Sequence, residues 1–209
     1  MKDKKMNYYI ADLHLFHKNV TKAGRDFDNR PFADLEEMHA VVMERWNRKV
    51  SDADSVYVVG DMAMRGTRAG LTEYVSQLKG RKILVKGNHD DLSDPRYRKL
   101  YDYVCDYKEV ADRIGRESVK LILCHYPILM WNGQHRGSIL LYGHVHNSEE
   151  DAVFQDSLAR FNRENREKGN SGGPEMKAYN VGCMAPYIDY EPKSIQEIVE
   201  GRTQIKLFR

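Results

Sequence analysis

The sequence predicts an α/β fold, and three observations carry the prediction. Short apolar, β-branched runs recur along the chain, helical periodicity separates the early ones, and after residue 100 the strand-like runs crowd together. Strands alternating with helices build a sheet covered by helices, whereas closely spaced strands pair as hairpins or in mixed sheets. The architecture expected is a layered α/β sandwich.

The runs at 8–11, 56–59, 83–85, 119–123, 139–142 and 179–181 each read as a buried strand, being too short and too β-branched for a buried helix. Between the first two, Asp34-Leu-Glu-Glu37 has the form of a capping box. Leu35, Met38, Val41, Val42 and Trp46 follow at helical spacing, which predicts an amphipathic helix to about residue 49. A second helix is expected over 71–79, closed by Gly80 where a left-handed residue commonly ends one. A third, shorter one is expected over 194–200. From 148 to 177 the chain turns polar, with Arg160, Arg163, Glu164, Arg166 and Glu167 ahead of Asn-Ser-Gly-Gly-Pro174. That stretch predicts an exposed helical insertion and loop inside a single domain spanning 1–209. No internal repeat is present, so a solenoid is not expected.

Composition narrows the class. The 209 residues, 41% hydrophobic and 31% charged, can bury a substantial core and fit a globular protein better than a disordered one. Lys+Arg 33 against Asp+Glu 31 leaves +2, with the two signs interleaved, so no electrostatic track for a long nucleic acid is expected. The charged start meets Asp12 before any apolar run of export length, and no stretch approaches a membrane span. Cys105, Cys124 and Cys183 are widely spaced and form no CxxC pair, which points away from a disulfide framework or thiolate zinc site and towards the cytoplasm.

Five motifs stand at or just after predicted strand ends: Asp12-Leu-His14, Gly60-Asp61, Gly87-Asn88-His89-Asp90, His125 and Gly143-His144-Val145-His146. In α/β sheets, sites collect where strands give way to loops, so rigid strands would present these side chains together. Imidazole and carboxylate donors without thiolate suit manganese, iron, zinc or nickel. Seven donors are more than one tetrahedral ion needs and suit two ions, about 3.5–4 Å apart, sharing a carboxylate.

These blocks, in this order, resemble the calcineurin-like metallophosphoesterase superfamily. Tyr8-Tyr-Ile-Ala-Asp12-Leu-His14 with Asn29-Arg-Pro-Phe32, and Asn180-Val-Gly182 with Tyr190-Glu-Pro192, are similar to its small bacterial and phage-type members. The resemblance covers nearly the whole chain, leaving mainly 148–177 unmatched. It implies an α-β-β-α sandwich of two mixed sheets flanked by helices. It also implies that Asp12, His14 and His146 hold one metal, Asn88, His125 and His144 the other, and that Asp61 bridges them. His89 has no ligand role in that pattern and is implied as a proton donor to the leaving oxygen or as a phosphate contact, either of which suits imidazole.

The expected activity is hydrolysis of a phosphomonoester or phosphodiester by a hydroxide generated at two divalent ions, manganese first, with iron, zinc or nickel as alternatives. The expected partner is a small phosphoester, with nucleotides among the candidates. A metal-binding scaffold on the same fold, without turnover, is the competing reading. His17 and Arg30 are the candidate substrate contacts, with Arg25 a second guanidinium suited to phosphate. Asp90 reads as a turn residue and His39 as structural; His135 is a candidate cleft residue. Cys124 precedes a ligand, but strand alternation turns it to the opposite face, into the core. Neither a phosphate-binding P-loop nor a Gly-x-Ser-x-Gly elbow occurs.

Overall fold

Each apolar run of the sequence forms a strand, and the strands assort into two four-stranded sheets. The computed structural model describes residues 5–21, 28, 30–64, 66, 69–167 and 173–207, the last three of these as backbone only. In the first sheet β1 (Asn7–Ile10), β2 (Ser55–Val58), β3 (Arg81–Val85) and β4 (Tyr103–Cys105) run parallel, in that order. In the second, β5 (Tyr107–Ile114) and β6 (Glu117–Cys124) form an antiparallel hairpin that β7 (Ile139–Tyr142) and β8 (Lys177–Asn180) extend in parallel. The sandwich is as expected, except that only the second sheet is mixed.

Helices close the faces. In α1 (Leu35–Lys49) the Asp34 carboxylate accepts from the Glu37 N–H at 2.9 Å, satisfying a donor the first turn leaves open. Met38, Val42 and Trp46 form its buried stripe, and the Trp46 indole N–H donates to the Lys79 carbonyl, tying α1 to the turn after α2 (Leu71–Ser76). A short α3 (Pro95–Arg98) follows β3. The helix expected over 194–200 continues as α5 (Ile195–Leu207), which packs against β1 and β5.

Strand alternation divides the interior in two. Leu121 and Leu123 of β6 and Ile139 and Leu141 of β7 join the first sheet and α1 in the main core. Their neighbours Ile122, Cys124, Leu140 and Tyr142 point the other way, into a second core. That core is closed by Phe154 and Leu158 of α4 (Glu149–Glu167), so the polar 148–177 stretch is a layer of the sandwich rather than an exposed appendage. Each such side chain withdrawn from water contributes about 1.5–3 kcal/mol, which the many solvated charges of α4 concealed in the sequence. No helix among the described residues is long and apolar enough to cross a membrane.

Candidate metal centre

The parallel strands β1, β2, β3, β6 and β7 all deliver their C-terminal ends to one side of the sandwich, and each is followed by one of the five motifs. Asp12, His14, Asp61, His144 and His146 have φ between +46° and +72°, a left-handed conformation that Asp and His tolerate better than most residues. Such strain, of order 1–3 kcal/mol per residue, collects where a site is over-determined by its surroundings. Here the surroundings are backbone hydrogen bonds between motifs: Asp12 N–H to the Gly60 carbonyl and His14 N–H to the Asp61 carbonyl, both 3.0 Å.

The candidate ligand atoms converge. Asp12, His14 and His146 each bring a donor atom within 4.8 Å of the others, and so do Asp12, Asp61 and His125. His14 Nε2 faces His146 Nε2 at 3.0 Å. One oxygen of Asp61, Oδ2, lies 3.7 Å from His14 Nε2 and 3.4 Å from His125 Nε2. The Asn88 side-chain oxygen stands 3.0 Å from both His125 Nε2 and His144 Nδ1. All seven expected donors therefore meet at one place. The grouping differs from the expectation at Asp12, which is shared by both groups and not confined to one.

The donor set fits divalent cations. Asp12 is fully buried, and burial pushes its carboxyl up to about 6 despite the His146 and His125 imidazoles that favour its charge. Burial drives His14 down to about 3, which keeps it neutral as a ligand must be. Burial also pushes Asp61 upward, but His125 beside it brings the carboxyl below its ordinary range. The glycines make room: a Cβ on Gly87 would stand 2.2 Å from Asp61 Oδ1, and one on Gly60, at φ +89°, 2.0 Å from His125 Nδ1. Glycine at the head of these motifs is thus a condition of ligand approach.

Around the donors lies an ordering shell. His125 Nδ1 donates to the Val59 carbonyl at 3.0 Å, and His146 Nδ1 donates to the Asp28 carboxylate, leaving Nε2 of each for a cation. Asp28 in turn accepts from Arg30, at 2.6 Å from Nη2 and 3.0 Å from Nε. The same guanidinium donates to the Leu13 carbonyl at 2.7 Å and the Asp12 carbonyl at 2.8 Å. Asp90 accepts from the backbone N–H groups of Asp61, Met62 and Gly87, joining the second motif to the third. It is a turn residue that also clamps a neighbouring loop.

The expected substrate contacts separate. Arg30 is corrected: its side chain is fully buried and its N–H groups are spent on Asp28 and two carbonyls, so it braces the ligand loop and cannot clamp a phosphate. The His17 ring lies 6.2 Å from that of His14, at the margin of the site. His89 lines the central cleft with its ring 5.4 Å from His14. His39 is structural, accepting from the Phe16 N–H at 3.1 Å. His135 sits on the turn Gln134–Arg136 and is not among the cleft residues, and Cys124 is buried in the second core, as expected. Arg25 lies outside the described residues.

Reading the sequence missed Asp28. A carboxylate is the usual partner of a ligand histidine, but nothing in spacing tells which acid folds back onto His146 from a loop. The cleft itself, about 690 Å³, is open at the ligand cluster and bordered by Pro31, Glu150, Met184 and Tyr190.

The chain resembles known proteins in sequence and in fold. The family model described as calcineurin-like phosphoesterase matches residues 8–175. An uncharacterized protein of Methanocaldococcus jannaschii is 29% identical over 194 residues, 92% of this chain and 89% of its own. The Gene 66 protein of Mycobacterium phage D29 is 31% identical over 166 residues, 67% of this chain and 78% of its own. A crystal structure of a protein of unknown function from Aquifex aeolicus shares the fold, with a TM-score of 0.63 at 22% identity, covering 94% of this chain and 99% of that one.

Proposed function

Because the chain belongs to the calcineurin-like phosphoesterase family, we propose that it hydrolyses phosphomonoesters or phosphodiesters at a centre of two divalent cations, manganese by expectation. One observation carries the reading: a single Asp61 oxygen faces His14 of one ligand group and His125 of the other. A carboxylate so placed is the natural shared ligand of a pair of ions. Asp12, His14 and His146 would hold one, and Asn88, His125 and His144 the other, with buried Asp12 close to both. Cations held there would polarise phosphoryl oxygens and lower the pKa of water from about 15.7 towards neutrality.

The chain's own residues complete the chemistry. His89 donates its backbone N–H to Asp61 Oδ1 at 2.9 Å, which fixes where its side chain starts relative to the centre. Its half-buried imidazole opens to the cleft, where a ring nitrogen suits it to give a proton to the departing ester oxygen or to hold a phosphoryl oxygen. Asp28 holds the His146 ring in the orientation and tautomer that turn Nε2 inward. Arg30 fixes the Asp12 and Leu13 carbonyls within the strained first motif. His17 at the margin is suited to a peripheral phosphate contact.

The test is manganese-dependent release of p-nitrophenol from its phosphate monoester and its phosphate diester. Asp61→Asn is expected to abolish release. His89→Ala is expected to slow it about 10²–10⁴-fold, the usual contribution of a proton-transferring side chain, while bound manganese stays at the wild-type level. Full activity in both variants would sink the assignment. Tight manganese binding with no turnover in the wild-type protein would point instead to a metal-binding scaffold.

A further inference from the structure

Next to the ligand cluster, beyond Asn88, opens a second cavity of about 760 Å³ that the mechanism above does not use. Asn88 borders both cavities, which places the second one directly beside the ligand cluster. The wall of the second cavity includes Tyr126, the residue immediately after the ligand His125. Its ring stands edge-on to two ligand imidazoles, with centroids 5.1 Å from His125 and 4.6 Å from His144, yet it is 45% exposed. A large aromatic side chain normally gains by burial, so one held at the mouth of a polar centre with much of its surface in water is placed to receive a partner.

The remaining wall says what kind. Asp91 and Asp106 supply acceptors, and the Lys86 ammonium is ion-paired to Asp106 at 3.1 Å. Acceptors beside an aromatic face suit a heterocycle with exocyclic amino groups and a sugar with hydroxyls. A lipid chain would meet charge there, and a polynucleotide, whose binding draws on rows of unpaired cations, would meet carboxylates.

We propose that Tyr126 is a stacking platform for the base of a nucleoside phosphate, which makes a mononucleotide ester the substrate class. The proposal rests on the phosphoesterase reading for its phosphate site, but its test does not require turnover. The probes are two non-hydrolysable ligands, methylphosphonate and the phosphonate analogue of AMP, titrated calorimetrically into the manganese-loaded protein.

The wild-type protein is expected to bind the nucleoside phosphonate more tightly than methylphosphonate. Tyr126→Ala should weaken the nucleoside phosphonate about ten-fold, within the range that base–aromatic stacking supplies, and leave methylphosphonate within about two-fold. Tyr126→Phe should restore the preference, and manganese content should match the wild type throughout. Equal weakening of both ligands, or loss of manganese, would make Tyr126 a buttress for His144 and overturn the proposal. Absence of any preference in the wild type would overturn it too. Failure to cleave p-nitrophenyl esters with the preference intact counts against the phosphoesterase reading and leaves the platform standing.

Discussion

At Asp28 one carboxylate does two things at once: it accepts from the His146 imidazole and it neutralises Arg30, whose side chain has no exposure to water. Replacing it by Asn keeps the shape but removes the charge that raises the basicity of the ligand ring and orients it. The Asp28→Asn variant should therefore bind manganese about 10–100-fold more weakly, the usual effect of losing a partner of a ligand histidine. With Arg30 left buried without a counter-charge, it should also lose roughly 3–5 kcal/mol of stability. Calorimetric manganese titration and urea unfolding would check the two together; unchanged affinity would show that His146 is oriented by something else. The seven candidate ligands were legible in the sequence, because their motifs stand at or just after apolar runs that read as strands and resemble, in their order, those of a metallophosphoesterase. Asp28 and the true duty of Arg30 were not. Both depend on a loop folding back across the first motif, and an arginine in such a loop has the same sequence signature whether it faces a phosphate or two buried carbonyls.

Among the elements, α1 and α5 are held together at their ends by Lys49, which pairs with Glu191 at 3.0 Å and with Glu197 near the start of α5, while Lys193 pairs with the same Glu191. Partial burial pushes Glu191 upward, but the Lys193 and Lys49 ammonium groups prevail and hold its carboxyl down at about 2, against an ordinary 4.5. A carboxyl depressed in the folded state contributes stability that is present above its unfolded value and lost as pH falls from about 4.5 through about 2. Since the group remains partly hydrated, screening trims its contribution to about 1 kcal/mol. Glu191→Gln should thus lower the urea midpoint at neutral pH and approach the wild type as pH falls to about 2. A constant gap between the two curves across that window would show that the pair contributes through packing alone. The elements differ in how plainly the sequence announced them. The core strands and α1 were readable because burial on both faces, or on one regular stripe, leaves an unbroken pattern. β5 was not, since Val110 is its only buried side chain and Lys108, Glu109, Asp112 and Arg113 give it the look of a loop. In α4, Phe154, Leu158 and Phe161 do repeat at helical spacing, but acids and arginines outnumber them.

For the molecule as a whole, the ligand cluster is where the two sheets meet. Asp12, His14, Asp61 and Asn88 follow strands of the first sheet, while His125, His144 and His146 follow strands of the second. Between the sheets at this end run direct ties as well: the Ala11 N–H donates to the Val181 carbonyl at 2.7 Å and the Cys183 N–H to the Ala11 carbonyl at 2.8 Å. Cations bound by both ligand groups would therefore join the sheets across their shared edge, and only the folded chain brings these donors together. Binding confined to the folded state stabilises it by mass action, by about 2.7 kcal/mol when free metal stands at 100 times its dissociation constant. For a domain of this length each kcal/mol moves the midpoint by about 2–4 °C, so saturating manganese should raise Tm by roughly 5–11 °C per bound ion, and chelation should reverse the gain. The rise should come as one sharpened transition, because neither sheet can keep the ions when the other leaves. Asp61→Asn, which removes the charge shared between the ligand groups, should lose most of it. Two separate transitions in the manganese-loaded protein, or an undiminished shift in Asp61→Asn, would mean that the ions sit within one sheet's ligands and do not staple the pair.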